Sequence, residues 1–278
     1  MKGGIFFTGV VPDSLGHKSL AVNLSDLAAM GAKPIGCLLG LGIPSVDEAW
    51  LASFSGGLNA LAERWGCPLV GGDTVATKDG IVISVTALGI LPYHESGLLR
   101  SAAKVDDDIW VSGPLGAPDI ALQILAGNLE DPQGCLPKLR PTLERPEPRV
   151  ALGQRLLGFA HAAIDISDGL TQDLSHVLDA SHVGAVLTLK DLPVHDGLAA
   201  FDPSAIQRAV LHGGDVYELC FTAPAVHRQR IGLIGQSLGL QLSRVGKIRA
   251  EPGLFANIDD SLIEIEPKGF DHFLGGEQ

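Results

Sequence analysis

Four aspartates carry the chemistry that this sequence could perform: Asp26, Asp73, Asp165 and Asp168, each set beside Gly, Ser, Thr or Asn. Asp26 lies in Asn23-Leu24-Ser25-Asp26-Leu27-Ala28-Ala29-Met30-Gly31, where three short polar side chains interrupt an apolar helix. From Ser19, the residues Leu20, Leu24, Leu27 and Ala28 recur at helical spacing, and Gly31 and Pro34 supply the stop. Asn23 and Asp26 share a face there, and polar groups on a nearly buried face require a partner, either water or a cation or ligand. Asp73 belongs to Gly71-Gly72-Asp73-Thr74 at a strand end, a turn whose backbone could approach a phosphate, although Gly-Gly-Asp is also an ordinary surface turn. Asp165 and Ser167 alternate with Ile164 and Ile166 on a strand, while Asp168 stands at a helix entrance where a plain N-cap is the competing reading. Carboxylates with small neighbours suit octahedral magnesium, which keeps waters and bridges to phosphate oxygens. Phosphoryl transfer then needs positioning and charge neutralisation rather than a nucleophilic Ser or Cys.

Other chemistries are excluded. No Gly-x-x-x-x-Gly-Lys-[Ser/Thr] occurs, Gly16-His17-Lys18-Ser19 having the wrong spacing, and Gly40-x-Gly42 lacks a third glycine. The nine histidines never pair at zinc-ligand spacing, and there is no Gly-x-Ser-x-Gly elbow. A formal net charge of −12 over 278 residues argues against a nucleic-acid or anionic-membrane surface, and makes cations necessary if the substrate is a phosphate. Cys37, Cys67, Cys135 and Cys220 are scattered and read as thiols of a reducing cytosol. The apolar run from Pro34 to Pro44 is too short to span a bilayer and Met1-Lys2-Gly3-Gly4 is no signal peptide, so a cytoplasmic protein is expected.

The elements that must position these residues alternate. Strands are expected at 35–43, 68–70, 81–91, 109–111, around Ile164, and at 183–189, 217–222 and 241–248. Helices are expected at 46–65 behind a Ser45-Val46-Asp47-Glu48 capping box, and at 118–127, 150–160, 169–178, 203–211 and 226–238. Residues 1–18 show no defensible strand, and 131–148, with five prolines, reads as an extended connection. The fold class is α/β (α+β), two α/β domains meeting at a boundary near Arg100, spanning 1–99 and 100–278.

Six motifs in order carry a resemblance over essentially the whole chain: Ser19 to Ala32, Val46 to Phe54, Gly71 to Thr74, Ile164 to Leu170, Gly213-Gly214 with Tyr217-Glu218-Leu219, and Lys268-Gly269-Phe270-Asp271-His272-Phe273. Together they resemble thiamine-monophosphate kinases, of the superfamily that includes aminoimidazole ribonucleotide synthetase. The resemblance implies phosphorylation of thiamine monophosphate to the diphosphate with ATP and several Mg2+ ions. It implies Asp26, Asp73, Asp165 and Asp168 as metal ligands, Gly72, Asp73, Arg100 and Ser167 at ATP, and Asp215 and Phe270 at the thiamine phosphate. It also implies a homodimer in which N-terminal strands of both subunits close a shared barrel.

The departures generate further expectations. Such enzymes begin with a Gly-Asp-Asp segment and then a Ser/Thr-Asp segment; this sequence has neither and reads as starting after them, with Ile5 where a His is usual. Gly213-Gly214-Asp215-Val216-Tyr217-Glu218-Leu219 replaces Gly-Gly-Glu-Asp-Tyr-Glu-Leu. A charge-assisted hydrogen bond is worth about 1.5–3 kcal/mol, so without those carboxylates weak activity and a weakened dimer are expected. A non-catalytic remnant that binds nucleotide or pairs with a full-length homologue, and another ATP-dependent synthetase of the superfamily, are the alternative readings.

Overall fold

The computed structural model describes residues 9–94, 96–258 and 261–270. Ile5 and Asp271-His272-Phe273 lie outside the described residues. The chain runs α1 (Pro12–Ala29), β1 (Lys33–Ile43), α2 (Glu48–Trp65), β2 (Leu69–Ala76), β3 (Val82–Ile90), β4 (Asp108–Val111), α3 (Ala117–Leu125), α4 (Leu136–Glu144) and α5 (Val150–Leu156). It continues through β5 (Ala162–Asp165), α6 (Leu170–Ser181), β6 (Gly184–Thr188), α7 (Pro203–His212), β7 (Leu219–Ala223), α8 (Arg228–Leu238), β8 (Ser243–Arg249), β9 (Gly253–Ile258) and β10 (Ser261–Glu264).

Two sheets result. In the first, β1 is central, parallel to β2 and antiparallel to β3. The second has the order β10-β9-β6-β8-β4-β7-β5, antiparallel except where β6 meets β9. Side chains alternate across the second sheet as strand geometry requires. Trp110, Ala163, Leu219 and Phe221 join a core that includes Leu20, Leu24, Phe54, Leu58, Leu152 and Leu156, so one apolar mass connects both sheets. Ile109, Val111, Ile164 and Cys220 point the other way, against Leu170, Leu174 and Val177 of α6.

Helix α1 is the piece between the sheets, and it buries nearly its whole circumference, including His17, Lys18, Ser19 and Ser25. It starts seven residues earlier than the periodicity from Ser19 suggests, because Pro12 is pre-shaped for a first helical turn. Its packing on α2 depends on two missing side chains. A Cβ at Gly16 would lie 1.9 Å from the Phe54 carbonyl oxygen, and one at Gly57 would lie 1.8 Å from that of Asp13. Helix α2 is capped by Asp47, whose carboxylate accepts from the Ala49 and Trp50 amides at 3.0 and 3.1 Å, in place of the Ser45 box, and it ends at left-handed Gly66.

Three expected features differ. Gly71 to Thr74 is the interior of β2, paired along β1, rather than a turn. Residues 131–148 are not wholly extended: Pro137 sits in the first turn of α4, and the Asp131 carboxylate accepts from the Cys135 and Leu136 amides at 2.6 and 3.0 Å. The hairpin of β9 and β10 adds two short strands to those expected from the pattern.

Gly57→Ala should gain about 1 kcal/mol of helix propensity and lose more to the clash, because the obstructing atom is backbone and no rotamer relieves it. The expected net loss is about 1–3 kcal/mol, read as a lower urea midpoint with an unchanged slope. A midpoint at or above that of the parent chain would refute this account of the α1–α2 crossing.

Candidate functional site

The candidate site lies along the seam where α1 meets the end of β5. Ser25 of α1 donates to Asp165 Oδ2 at 2.7 Å, and Asp165 is 5% exposed. Asp26 follows on the solvent side of α1. Burial, and then the Asp26 charge, push the Asp165 carboxyl up to about 6, with the Ser25 hydroxyl and Arg100 pulling the other way. Burial likewise raises Asp26, and Arg100 opposes it. Two carboxylates in mutual repulsion, with one arginine near, form a place that favours a cation. Asn23 turns out to serve its own helix, donating to the Ser19 carbonyl at 2.9 Å.

Three loops pack beside this pair. The turn after β5 puts Ser167 and Asp168 before α6, with Gly169 at the N-cap position and no side-chain cap there. The Asp168 carboxylate is therefore not the helix cap. Asp173, in the first turn of α6, instead reaches back, its Oδ2 accepting from the Ser167, Asp168 and Gly169 amides at 3.0 Å each. Burial pushes Asp173 up to about 7 against the pull of the Gly169 and Asp168 amides, with Asp168 and Asp165 adding repulsion. The second loop, Gly213 to Glu218, pairs with the first: the Asp215 amide donates to the Ser167 carbonyl and the Tyr217 amide to that of Ile166, both at 2.8 Å. The third brings in Phe270, half exposed, whose amide donates to the Asp168 carbonyl at 3.0 Å.

The glycines of these motifs have a packing reason. A Cβ at Gly214 would lie 2.6 Å from the Ser167 carbonyl oxygen, and one at Gly269 would lie 2.6 Å from that of Asp168. Asp215 and Tyr217 both adopt left-handed backbone, at φ 61° and 55°, a conformation that costs about 1–3 kcal/mol per residue and persists only where surroundings enforce it. The enforcing contacts include an ion pair from Lys18 Nζ to Asp215 Oδ1 at 2.8 Å and a hydrogen bond from the Tyr217 hydroxyl to the same oxygen at 3.0 Å. Behind them, Arg149 grips Glu218 through two guanidinium nitrogens, and Ser112 donates to Glu218 as well.

Asp26, Asp165, Ser167, Asp168, Asp215 and Phe270 are thus parts of one region, with Arg100 acting electrostatically on its acidic pair. Asp73 is placed differently. It faces Gly40 in register, on the side of the first sheet away from α1, and its Oδ1 accepts from the Thr74 amide at 2.8 Å. It lines a shallow depression of about 350 Å3 with Gly40, Gly42, Val75, Val82 and Ser84. Gly72 is required by the sheet itself, since a Cβ there would meet the Leu39 carbonyl oxygen at 2.0 Å. Among the described residues, no group of three His, Cys, Asp or Glu side chains could by itself hold a metal ion. The Asp26–Asp165 pair does fit Mg2+, which binds through one or two carboxylates and completes its shell with water and substrate phosphate. Lys18 and Asp173 contribute to the site without being singled out from the sequence, whereas Ser25 is one of the three short polar side chains of the Asn23 to Gly31 stretch; a lysine beside an otherwise apolar helix is the available signal for the first.

The architecture is that of an AIR synthase-related protein, and the family described as AIR synthase related protein, N-terminal domain, matches residues 2–91. The thiamine-monophosphate kinase of Escherichia coli (strain K12) is 40% identical over 277 residues, covering 98% of this chain and 84% of that protein. The chain belongs to the thiamine-monophosphate kinase family. The crystal structure of the enzyme from Stenotrophomonas maltophilia K279a superposes with a TM-score of 0.86 at 40% identity, over 94% of this chain and 84% of that one. AaThiL complexed with AMPPCP and TMP gives a TM-score of 0.80 at 28% identity, over 95% and 82%.

Asp173→Ala would strip three amides, one buried and two part-buried, of their acceptor. Unsatisfied buried donors cost about 1–3 kcal/mol each, partly recovered by entering water, so a stability loss of at least about 2 kcal/mol is expected in urea titration. Exchange of the Ser167 to Gly169 amides should quicken beyond that of β4 and β7, and uniform quickening would argue against a local role.

Proposed function

We propose that this chain transfers a phosphoryl group from ATP to thiamine monophosphate, forming thiamine diphosphate. The observation that carries this reading is the meeting of Asp26 and Asp165 across the seam in a chain of this family. The solved relative bound to AMPPCP and TMP supports the same pair of substrates. Mg2+, when bound, would neutralise the phosphate oxygens and the charge that develops on them during transfer.

The protein's own residues bind and orient. Asp26, Asp165 and Asp168 supply carboxylate oxygens at the seam, and Ser25 fixes the direction in which Asp165 presents its second oxygen. Arg100 and Ser167 are assigned to ATP, and Asp215 and Phe270 to the thiamine phosphate. Gly72 and Asp73, neighbours on β2, complete the assignment to nucleotide and metal, Asp73 from the outer face of the first sheet. The two units divide at Arg100, so the reaction takes place between them. A cytoplasmic setting suits these substrates, and no helix among the described residues is long and apolar enough to cross a membrane.

Incubating the purified chain with ATP, thiamine monophosphate and Mg2+ should yield thiamine diphosphate, with none formed when the metal is chelated. Selenide and aminoimidazole precursors should not be turned over. Asp165→Asn should lower kcat/KM by about tenfold to a hundredfold, the kinetic equivalent of one charge-assisted contact. A chain that binds ATP yet turns over none of these acceptors would instead be a nucleotide-binding homologue.

The same reading includes a homodimer. The outer face of the first sheet leaves Leu38, Val75, Val82 and Leu88 between 41% and 58% exposed, an apolar surface larger than scattered side chains require. Sedimentation equilibrium should give twice the 29.0 kDa chain mass, and Val82→Glu should shift it toward one chain. A parent chain that sediments as a monomer at tens of micromolar would rule this assembly out.

A further inference from the structure

We propose that Lys18 is a positioning residue for the phosphate acceptor, holding Asp215 and, through it, Tyr217 in the orientation that thiamine monophosphate meets. The proposal rests on the reading of function given above. Lys18 lies on α1 two turns before Asp26, with its side chain 5% exposed, and its Nζ stands 2.8 Å from Asp215 Oδ1. The Tyr217 hydroxyl donates to that same oxygen at 3.0 Å, and the Lys18 ammonium lies 6.0 Å from the Tyr217 ring centre.

A buried lysine needs a reason, because desolvating an ammonium and a carboxylate roughly offsets their attraction. Stability alone therefore does not favour Lys18 over an apolar residue of similar size. Orientation does. Two donors converge on one oxygen of Asp215, and no described residue takes up Oδ2, while Asp215 keeps a side-chain exposure of 20%. Among the described residues the carboxylate is thus clamped at one oxygen and unclaimed at the other. Its backbone is held in a left-handed conformation by the Ser167 carbonyl, whose neighbour Asp168 belongs to the acidic seam. Lys18 and Asp26 ride on one rigid helix, so the acceptor side and the acidic pair keep a fixed separation.

The test uses Lys18→Met, Asp215→Asn and their combination in the full chain, with calorimetric titration of thiamine monophosphate beside steady-state kinetics. Lys18→Met should weaken thiamine monophosphate binding and raise its KM by about tenfold, as removal of an oriented charged group does, with the KM for ATP changed less than about threefold. The double variant should be no worse than the worse single one, because both act through one carboxylate. Equal changes in both KM values, or effects that multiply in the double variant, would overturn the proposal and leave Lys18 a general structural residue. Should Lys18→Met not fold, Lys18→Arg keeps the charge while moving the donor: a selective rise in the thiamine monophosphate KM supports positioning, and an unchanged one overturns it. A parent chain that binds thiamine monophosphate while Lys18→Met binds it equally well defeats this inference alone. A parent chain that neither binds nor phosphorylates it defeats both readings.

Discussion

Everything at the seam follows from burying one helix on all sides while it still carries polar side chains. Helix α1 contacts α2, β3, α5 and β5, and each polar group it buries must find a partner in whatever lies against it. Ser19 closes on the Leu15 carbonyl at 2.7 Å, within the helix. Three more reach outward: His17 to the Pro146 carbonyl at 2.9 Å, Lys18 to Asp215 and Ser25 to Asp165. These three links go to three separate segments of the second half of the chain. The helix therefore fixes where the loops of the larger sheet stand, with a directionality that apolar packing alone does not provide.

The loops are held to the same standard of complete pairing. Ser167, Asp168 and Gly169 give their amides to Asp173, and the Ser167 and Asp168 carbonyls accept from Asp215 and Phe270. The turn is therefore held through its own backbone groups. This pairing explains why glycines cluster here: at Gly214 and Gly269 the chain passes so close to a neighbouring carbonyl that a methyl group has no room. It also explains why an amide nest at a helix start is not an anion site in this protein. Its acceptor is already built in, as Asp173.

Much of this is legible in the sequence because the signals are local. Asp165 inside an apolar strand, the Gly213-Gly214 pair and the run of strand and helix periods each point to what the structure contains. What is not legible depends on distant packing. Helix α1 starts at Pro12, which suits a first turn, and its early turns pack on α2 only because Gly16 has no side chain, a fact no window around Ser19 carries. Gly71 to Thr74 has turn composition, yet β1 supplies a continuous partner and Gly72 is needed for their approach. Asp47 outcompetes Ser45 as a cap because its carboxylate reaches two amides from the residue adjoining the helix. Lys18 stands in the sequence only as part of a failed phosphate loop; its partner lies nearly two hundred residues away, where spacing rules are silent.

The balance of charge at the seam decides what the proposed reaction requires. Asp26, Asp165 and Asp168 place negative charge where the phosphates of two substrates would have to meet. Of the cations on hand, Lys18 is committed to Asp215, and Arg149 to Glu218. Arg100 acts on the acidic pair from an exposed position, where solvent screens much of its field. Burial first, and then the Asp26 charge, raise the Asp165 carboxyl, which a proton stabilises when nothing better is offered. A divalent ion brought in with the nucleotide would remove that penalty and the substrate's own repulsion together. Magnesium and ATP should therefore bind as coupled ligands, each weak in the absence of the other, because neither alone neutralises the seam.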